Sequence, residues 1–151
     1  MRSSGILMHI TSLPGPYGVG TMGKQAFDFM DFLKDAGQRL WQILPLTPTG
    51  FGDSPYQSCS TFAGNHYLID LDFLVEDGLL DQEEIAGIRW CRKEEKADFG
   101  LLYNNRLKVL RLAYSRFDGG EAFDAFCDRS GAWLPDFALF MALKERYSGK
   151  P

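Results

Sequence analysis

Two short apolar runs, SGILMHI at residues 4–10 and RLWQILPL at residues 39–46, flank a helical pattern, and this arrangement constrains the fold more than any other feature. Each run is bounded by turn residues and reads as a buried strand; the second is stopped at Pro45. Between them, KQAFDFMDFLKDAG sets Ala26, Phe29, Met30, Leu33 and Ala36 at helical spacing, with Asp28, Asp31, Lys34 and Asp35 on much of the other face. Gly37 fits a C′ cap. Strand, helix and strand in this order make a βαβ unit with two parallel strands and a right-handed crossover. Two parallel strands alone leave their faces uncovered, and parallel sheets are normally buried. Either the rest of the chain covers them or the chain begins something larger. The ending SGKP, with neither a helix cap nor a polar tail, favours a truncated domain.

Beyond residue 65 the pattern is mostly helical. HYLIDLDFL reads as a short third extended segment, and Asp81 and Glu84 have capping-box spacing ahead of Ile85 and Ile88. Tyr103, Leu107, Leu110, Tyr114 and Phe117 form an apolar stripe at alternating steps of four and three. GEAFDAFCDR and WLPDFALFMALKERY supply two further helices. The chain therefore divides into an α/β part at residues 1–80 and a helical part at residues 81–151.

Composition narrows the functional classes. With 151 residues, 45% of them hydrophobic, the chain is large enough to bury a core. Its net charge of −4 opposes nucleic acid as a main partner, since phosphate binding uses a basic surface. Cys59, Cys91 and Cys127 are odd in number and far apart, so they read as reduced thiols rather than as a disulfide framework or a metal site. GILMHI is too short for a signal peptide and no run spans a bilayer, so a cytoplasmic location is expected.

GVGTMG at residues 18–23 matches the dinucleotide fingerprint. The chemistry, however, needs a tight turn straight from strand to helix, and an acidic residue about 20 positions on to hold the ribose. ITSLPGPY intervenes here, and the later position falls in LWQILPL. These glycines are better read as points where a loop folds closely over a helix start.

The more informative loop is PTGFGDSPYQSCSTFAGN, residues 48–65. It leaves the C-terminal end of the second strand, as TSLPGPYG leaves that of the first, and ligands of parallel α/β proteins gather on that face. Phe51 and Tyr56 suit the apolar face of a sugar ring; Asp53, Ser54, Gln57 and Asn65 suit its hydroxyls. Pro48 and Pro55 stiffen the loop. The blander alternatives are an Asx or Ser turn at Asp53 and Ser54, and a core wedge at Tyr56. His9 reads as a hydrogen-bonded strand-end residue, and His66 lacks any neighbour at metal-ligand spacing.

On GILMHITSLPGPYGVGTMG, AGQRLWQILPLTPTGFGDSPYQS, STFAGNHYLIDLDFL and WLPDFALFMALK, taken in order, the chain resembles the N-terminal part of the 4-alpha-glucanotransferases (amylomaltase, or disproportionating enzyme), glycoside hydrolase family 77. The resemblance implies the start of a (β/α)8 TIM barrel: residues 5–47 would be the first βαβ unit, and the helical part from about residue 80 an insertion after strand two. It implies transfer of α-1,4-glucan segments to a glucan or glucose acceptor by a retaining double displacement, without metal or organic cofactor. The family's catalytic carboxylates lie on later strands, so no catalytic residue is expected in this chain, which alone should be inactive. Asp53 and Asp70 match none of those motifs. By the same resemblance Ser54 and Tyr56 line the glucan cleft and Gln57 is a weaker candidate. Phe51 stands where the family usually has a tyrosine making a secondary glucan contact, and His66 replaces a common proline. The implied partners are a maltooligosaccharide and the remainder of the barrel. The competing readings are a free-standing, non-catalytic carbohydrate-binding α/β module and a nucleotide-binding domain.

Overall fold

The computed structural model describes residues 2–50, 52–93 and 96–147. Strand β1 (Gly5–Leu7) pairs in parallel with β2 (Leu40–Gln42), with Ile6 opposite Trp41. Bonds from Met8 N–H to Gln42 C=O (3.0 Å) and from Arg39 N–H to Ser4 C=O (3.1 Å) extend the ladder at both ends. Helix α1 (Lys24–Asp35) connects the strands. It ends in the expected way: Gly37 has φ +70°, with bonds from Gly37 N–H to Lys34 C=O and from Gln38 N–H to Leu33 C=O closing a Schellman motif.

The strands are shorter than the apolar runs predicted, and they are not buried. Ile6 and Leu7 are 41% and 61% exposed, and Leu40 is exposed as well. Among the described residues each strand has only its partner beside it, and α1 covers one side through Phe29, whose ring meets Trp41 edge-on at 4.9 Å. The helical part does not close over the sheet.

HYLIDLDFL is not extended. It forms a 3₁₀ turn (His66–Leu68) followed by α2 (Leu71–Glu76). The cause is capping: the Asn65 side chain accepts from Tyr67 N–H, and that of Asp70 from Asp72 N–H. Two side-chain acceptors, each bonded to the N–H two residues on, start a helical turn each and override the strand propensity of the residues between them. Helix α3 (Gln82–Ala86) carries the predicted capping box, with the Asp81 side chain on the N3 backbone and Asp81 N–H bonded to Glu84 at 2.8 Å.

Helix α4 (Phe99–Arg116) lies one residue out of the register expected from its apolar stripe. The buried face is Leu102, Arg106, Val109 and Ala113, whereas Tyr103 and Tyr114 are 69% and 74% exposed. The face that packs against Leu71, Leu80, Ile85 and Trp90 holds a small alanine and an arginine, because close approach there leaves no room for tyrosines. Helices α5 (Glu121–Arg129) and α6 (Leu134–Arg146) follow and bury no residue fully. A smaller second cluster, Ile10, Leu13, Ala26 and Leu68, sits beneath the two strands' C-terminal loops.

Candidate functional site

Both loops that leave the strands' C-terminal ends converge on the segment at residues 64–70. Met22 N–H bonds to Leu68 C=O (2.9 Å), and Thr21 Oγ1 donates to the buried Asp70 carboxylate. Met22, Leu46, Asn65, His66 and Asp70 share the wall of an open, mostly apolar cavity of about 540 Å3.

The glycines at residues 18–23 serve this convergence. A Cβ at Gly18 would lie 2.4 Å from Trp90 C=O, one at Gly20 2.1 Å from Ile10 C=O, and one at Gly23 1.9 Å from the Asp70 carboxylate. The start of α1 thus faces a carboxylate, in the space a dinucleotide's pyrophosphate would need. Asp70 is a structural tie between the first loop and α2.

Loop 48–65 is closed at its neck by a bond from Asn65 N–H to Leu46 C=O (2.8 Å). Within it, Gly50 N–H reaches Gln57 C=O (3.0 Å), Asp53 N–H reaches Gly50 C=O (3.2 Å), and Gln57 N–H reaches Ser54 C=O (3.1 Å). Gly52 has φ +89° and Asp53 φ +56°, the latter a conformation that aspartate tolerates better than most residues. Partial burial raises the Asp53 pKa.

The expected site residues now have places. Ser54 is half-buried, and its Oγ accepts from Tyr56 N–H at 3.4 Å, so the Ser turn forms and the hydroxyl proton remains available to an acceptor. Tyr56 is 73% exposed, which excludes a core wedge. Gln57 is exposed beside it in sequence. Phe51 lies outside the described residues. Asn65 does not present its side-chain oxygen to a ligand: it is buried and caps the 3₁₀ turn. Ser58 and Ser60 likewise build local turns, Ser60 Oγ accepting from Phe62 and Ala63 N–H (3.2 and 3.1 Å). His9 behaves as read, its Nδ1 accepting from Leu44 N–H at 3.3 Å across the strand ends.

Two contacts from the helical part were not foreseen. Phe62, 71% exposed, stacks on Trp133 (5.8 Å between centroids, 22° between planes), and Trp133 in turn meets Phe126 and Phe137. Arg106, fully buried on α4, donates to Tyr67 C=O (3.2 Å) and Ile69 C=O, with Trp90 at 5.8 Å from its guanidinium carbon. Burial pulls its pKa down to about 10, and the same cation, after burial itself, lowers the pKa of His66. The available signal was that Leu102, Val109 and Ala113 are spaced around Arg106 as regularly as the larger residues one position on.

A 4-alpha-glucanotransferase family model matches residues 8–151. The chain is 51% identical over 156 residues to a Thermus thermophilus 4-alpha-glucanotransferase, covering 99% of this chain and 30% of that protein. It is 50% identical over 143 residues to one from Clostridium butyricum, covering 93% and 29%. A solved amylomaltase from Streptococcus agalactiae, in complex with acarbose, superposes with a TM-score of 0.92 at 44% identity over 99% of this chain and 31% of that one. The chain thus spans about three tenths of the length of the proteins it matches.

Proposed function

The chain belongs to the 4-alpha-glucanotransferase family, and from that premise we propose that it is the N-terminal segment of such an enzyme, moving stretches of α-1,4-glucan onto another glucan or onto glucose. The observation that carries this is the match along nearly its whole length, in sequence and in backbone, to enzymes of that one activity. In this reading β1, α1 and β2 open a (β/α)8 barrel and residues 81–151 are a helical insertion. Parallel pairing supports it, as do apolar strand residues left exposed where further strands and helices would lie.

The chemistry follows a retaining double displacement. A carboxylate attacks the anomeric carbon, a second carboxyl group protonates the departing oxygen, and the acceptor's hydroxyl then displaces the enzyme with that group acting as base. Both carboxylates come from outside residues 1–151. This segment contributes binding: Tyr56 stacks on a sugar ring, Ser54 donates its free hydroxyl proton, Gln57 reaches a neighbouring hydroxyl, and Phe51 gives a secondary stacking contact. A filled acceptor site that keeps water out turns hydrolysis into transfer. The partners are a maltooligosaccharide and the rest of the barrel, and no metal or organic cofactor takes part. No helix among the described residues is long and apolar enough to cross a membrane. Three free thiols suit the reducing cytoplasm.

The test is maltotriose disproportionation, read as glucose release. It is run with the chain alone and with the chain joined to the part of the Thermus thermophilus relative that follows its matched segment. Inactivity alone and turnover when joined are expected. Turnover by the 151 residues alone would mean that the catalytic carboxylates are in this chain, and no turnover in the joined protein would sink the proposal.

A further inference from the structure

We infer that the helical part holds the glucan loop in position, with Arg106 fixing its neck and Trp133 its flank; this rests on the proposed function. The loop is closed at Asn65, and the next residues, 66–69, are the ones that Arg106 grips through the carbonyls of Tyr67 and Ile69. No other described side chain of α4 bonds to this segment. Asn65 passes the constraint back into the loop, since its side chain accepts from Tyr67 N–H while its own N–H bonds to Leu46. On the flank, the turn at Ser60 presents Phe62 to Trp133, at the N-terminus of α6. The loop is therefore held at two places by elements that contribute nothing to the sheet.

Stability does not account for Arg106. A guanidinium has five N–H donors, and Nε and Nη1 are buried here without a hydrogen-bond partner. Asp70 lies near enough to favour its charge but makes no ion pair with it. A buried, incompletely bonded cation contributes little net stability compared with an apolar side chain of similar size. What it does supply is direction: two carbonyls reached from one nitrogen set the segment's position relative to α4. Arg106 and Trp133 are positioning residues and touch no reacting atom.

Arg106→Met and Trp133→Ala are compared with Leu102→Ala, a core substitution one turn from Arg106 that makes no bond to the neck. In the joined protein, Arg106→Met and Trp133→Ala should each raise the KM for maltotriose about threefold or more, with kcat within about twofold, as loss of uniform binding does. Leu102→Ala should lower the melting temperature at least as much as Arg106→Met and leave KM unchanged. A KM that simply tracks melting temperature across the three variants, or that does not move in Arg106→Met, overturns the inference. If Arg106→Met does not fold, Trp133→Ala and Arg106→Lys carry the comparison. If the unsubstituted joined protein turns over no maltotriose, the proposed function fails and the inference is read on the 151-residue chain by hydrogen exchange. There, Arg106→Met must speed exchange at the N–H groups of Gly50, Asp53, Gln57 and Asn65 relative to Leu102→Ala, and equal rates would overturn it.

Discussion

Tyr56 and Phe62 are six positions apart in one loop, yet among the described residues only Phe62 of the two has another ring behind it. Tyr56 is 73% exposed with no described ring stacked on it, which suits a residue whose partner is a ligand. Tyr56→Ala in the joined protein should cost at least ~1 kcal/mol of transition-state binding, read as kcat/KM for maltotriose; unchanged kinetics would remove it from the site. Glycines offer a contrast of a different kind. A Cβ at Gly20 meets two backbone oxygens that cannot rotate away, whereas one at Gly64 meets nothing within 4 Å. Urea unfolding should show Gly20→Ala destabilised by ~1–3 kcal/mol and Gly64→Ala within ~0.5 kcal/mol of the parent. The two histidines titrate in one direction, both lowered from 6.5, by burial in each case and by Arg106 as well at His66. A lowered folded pKa means the unfolded chain takes up the proton first. Stability is then full above pH 6.5 and falls as pH drops below it; urea midpoints at pH 7.5 and 5.5 measure the fall, which His66→Asn should reduce.

Helices α3 and α4 are joined at the surface by Arg116, which bonds Glu84 through both terminal guanidinium nitrogens and also reaches Leu79 C=O. The guanidinium, together with the capping-box bond from Asp81 N–H, pulls the Glu84 pKa down from 4.5 to about 2. A depressed carboxylate stabilises the fold above its unfolded pKa and loses that contribution as pH falls through the folded value. Thermal melts between pH 4.5 and 2 should therefore show a shallower acid limb for Glu84→Gln than for the parent, and parallel limbs would show that the pair is not coupled to folding. The capping box and the Gly37 cap were legible because each depends on residues within four positions of one another. The burial of α4 was not: stepping the pattern by one residue selects a different face, and only the neighbours α4 meets decide which is inside.

At the scale of the whole molecule, large apolar side chains remain exposed on β1, β2, α1, α5 and α6. Exposed apolar surface on this scale marks an interface, and the proposed remainder of the barrel is its occupant. Per mole, the chain alone should bind more of the apolar dye ANS than the joined protein does, although the joined protein is about three times larger; equal or greater fluorescence from the joined protein would mean that the surface stays open.

Sequence alone determined the parallel βαβ order, the helix ends at Gly37 and Asp81, and a string of residues around GFGDSPYQS idiosyncratic enough to indicate a family. It also located the loop at residues 48–65, because prolines, glycines and hydroxyls so concentrated do not build a helix or strand. Only the tertiary structure decided which loop side chains are free. Ser54 gives its oxygen to Tyr56 N–H and Tyr56 stays exposed, while Asn65, Ser58 and Ser60 bond the loop's own backbone. It alone placed a buried arginine about forty residues further on against the carbonyls of Tyr67 and Ile69, because an arginine's partners depend on which carbonyls happen to lie within its reach, and distance along the chain carries no record of that.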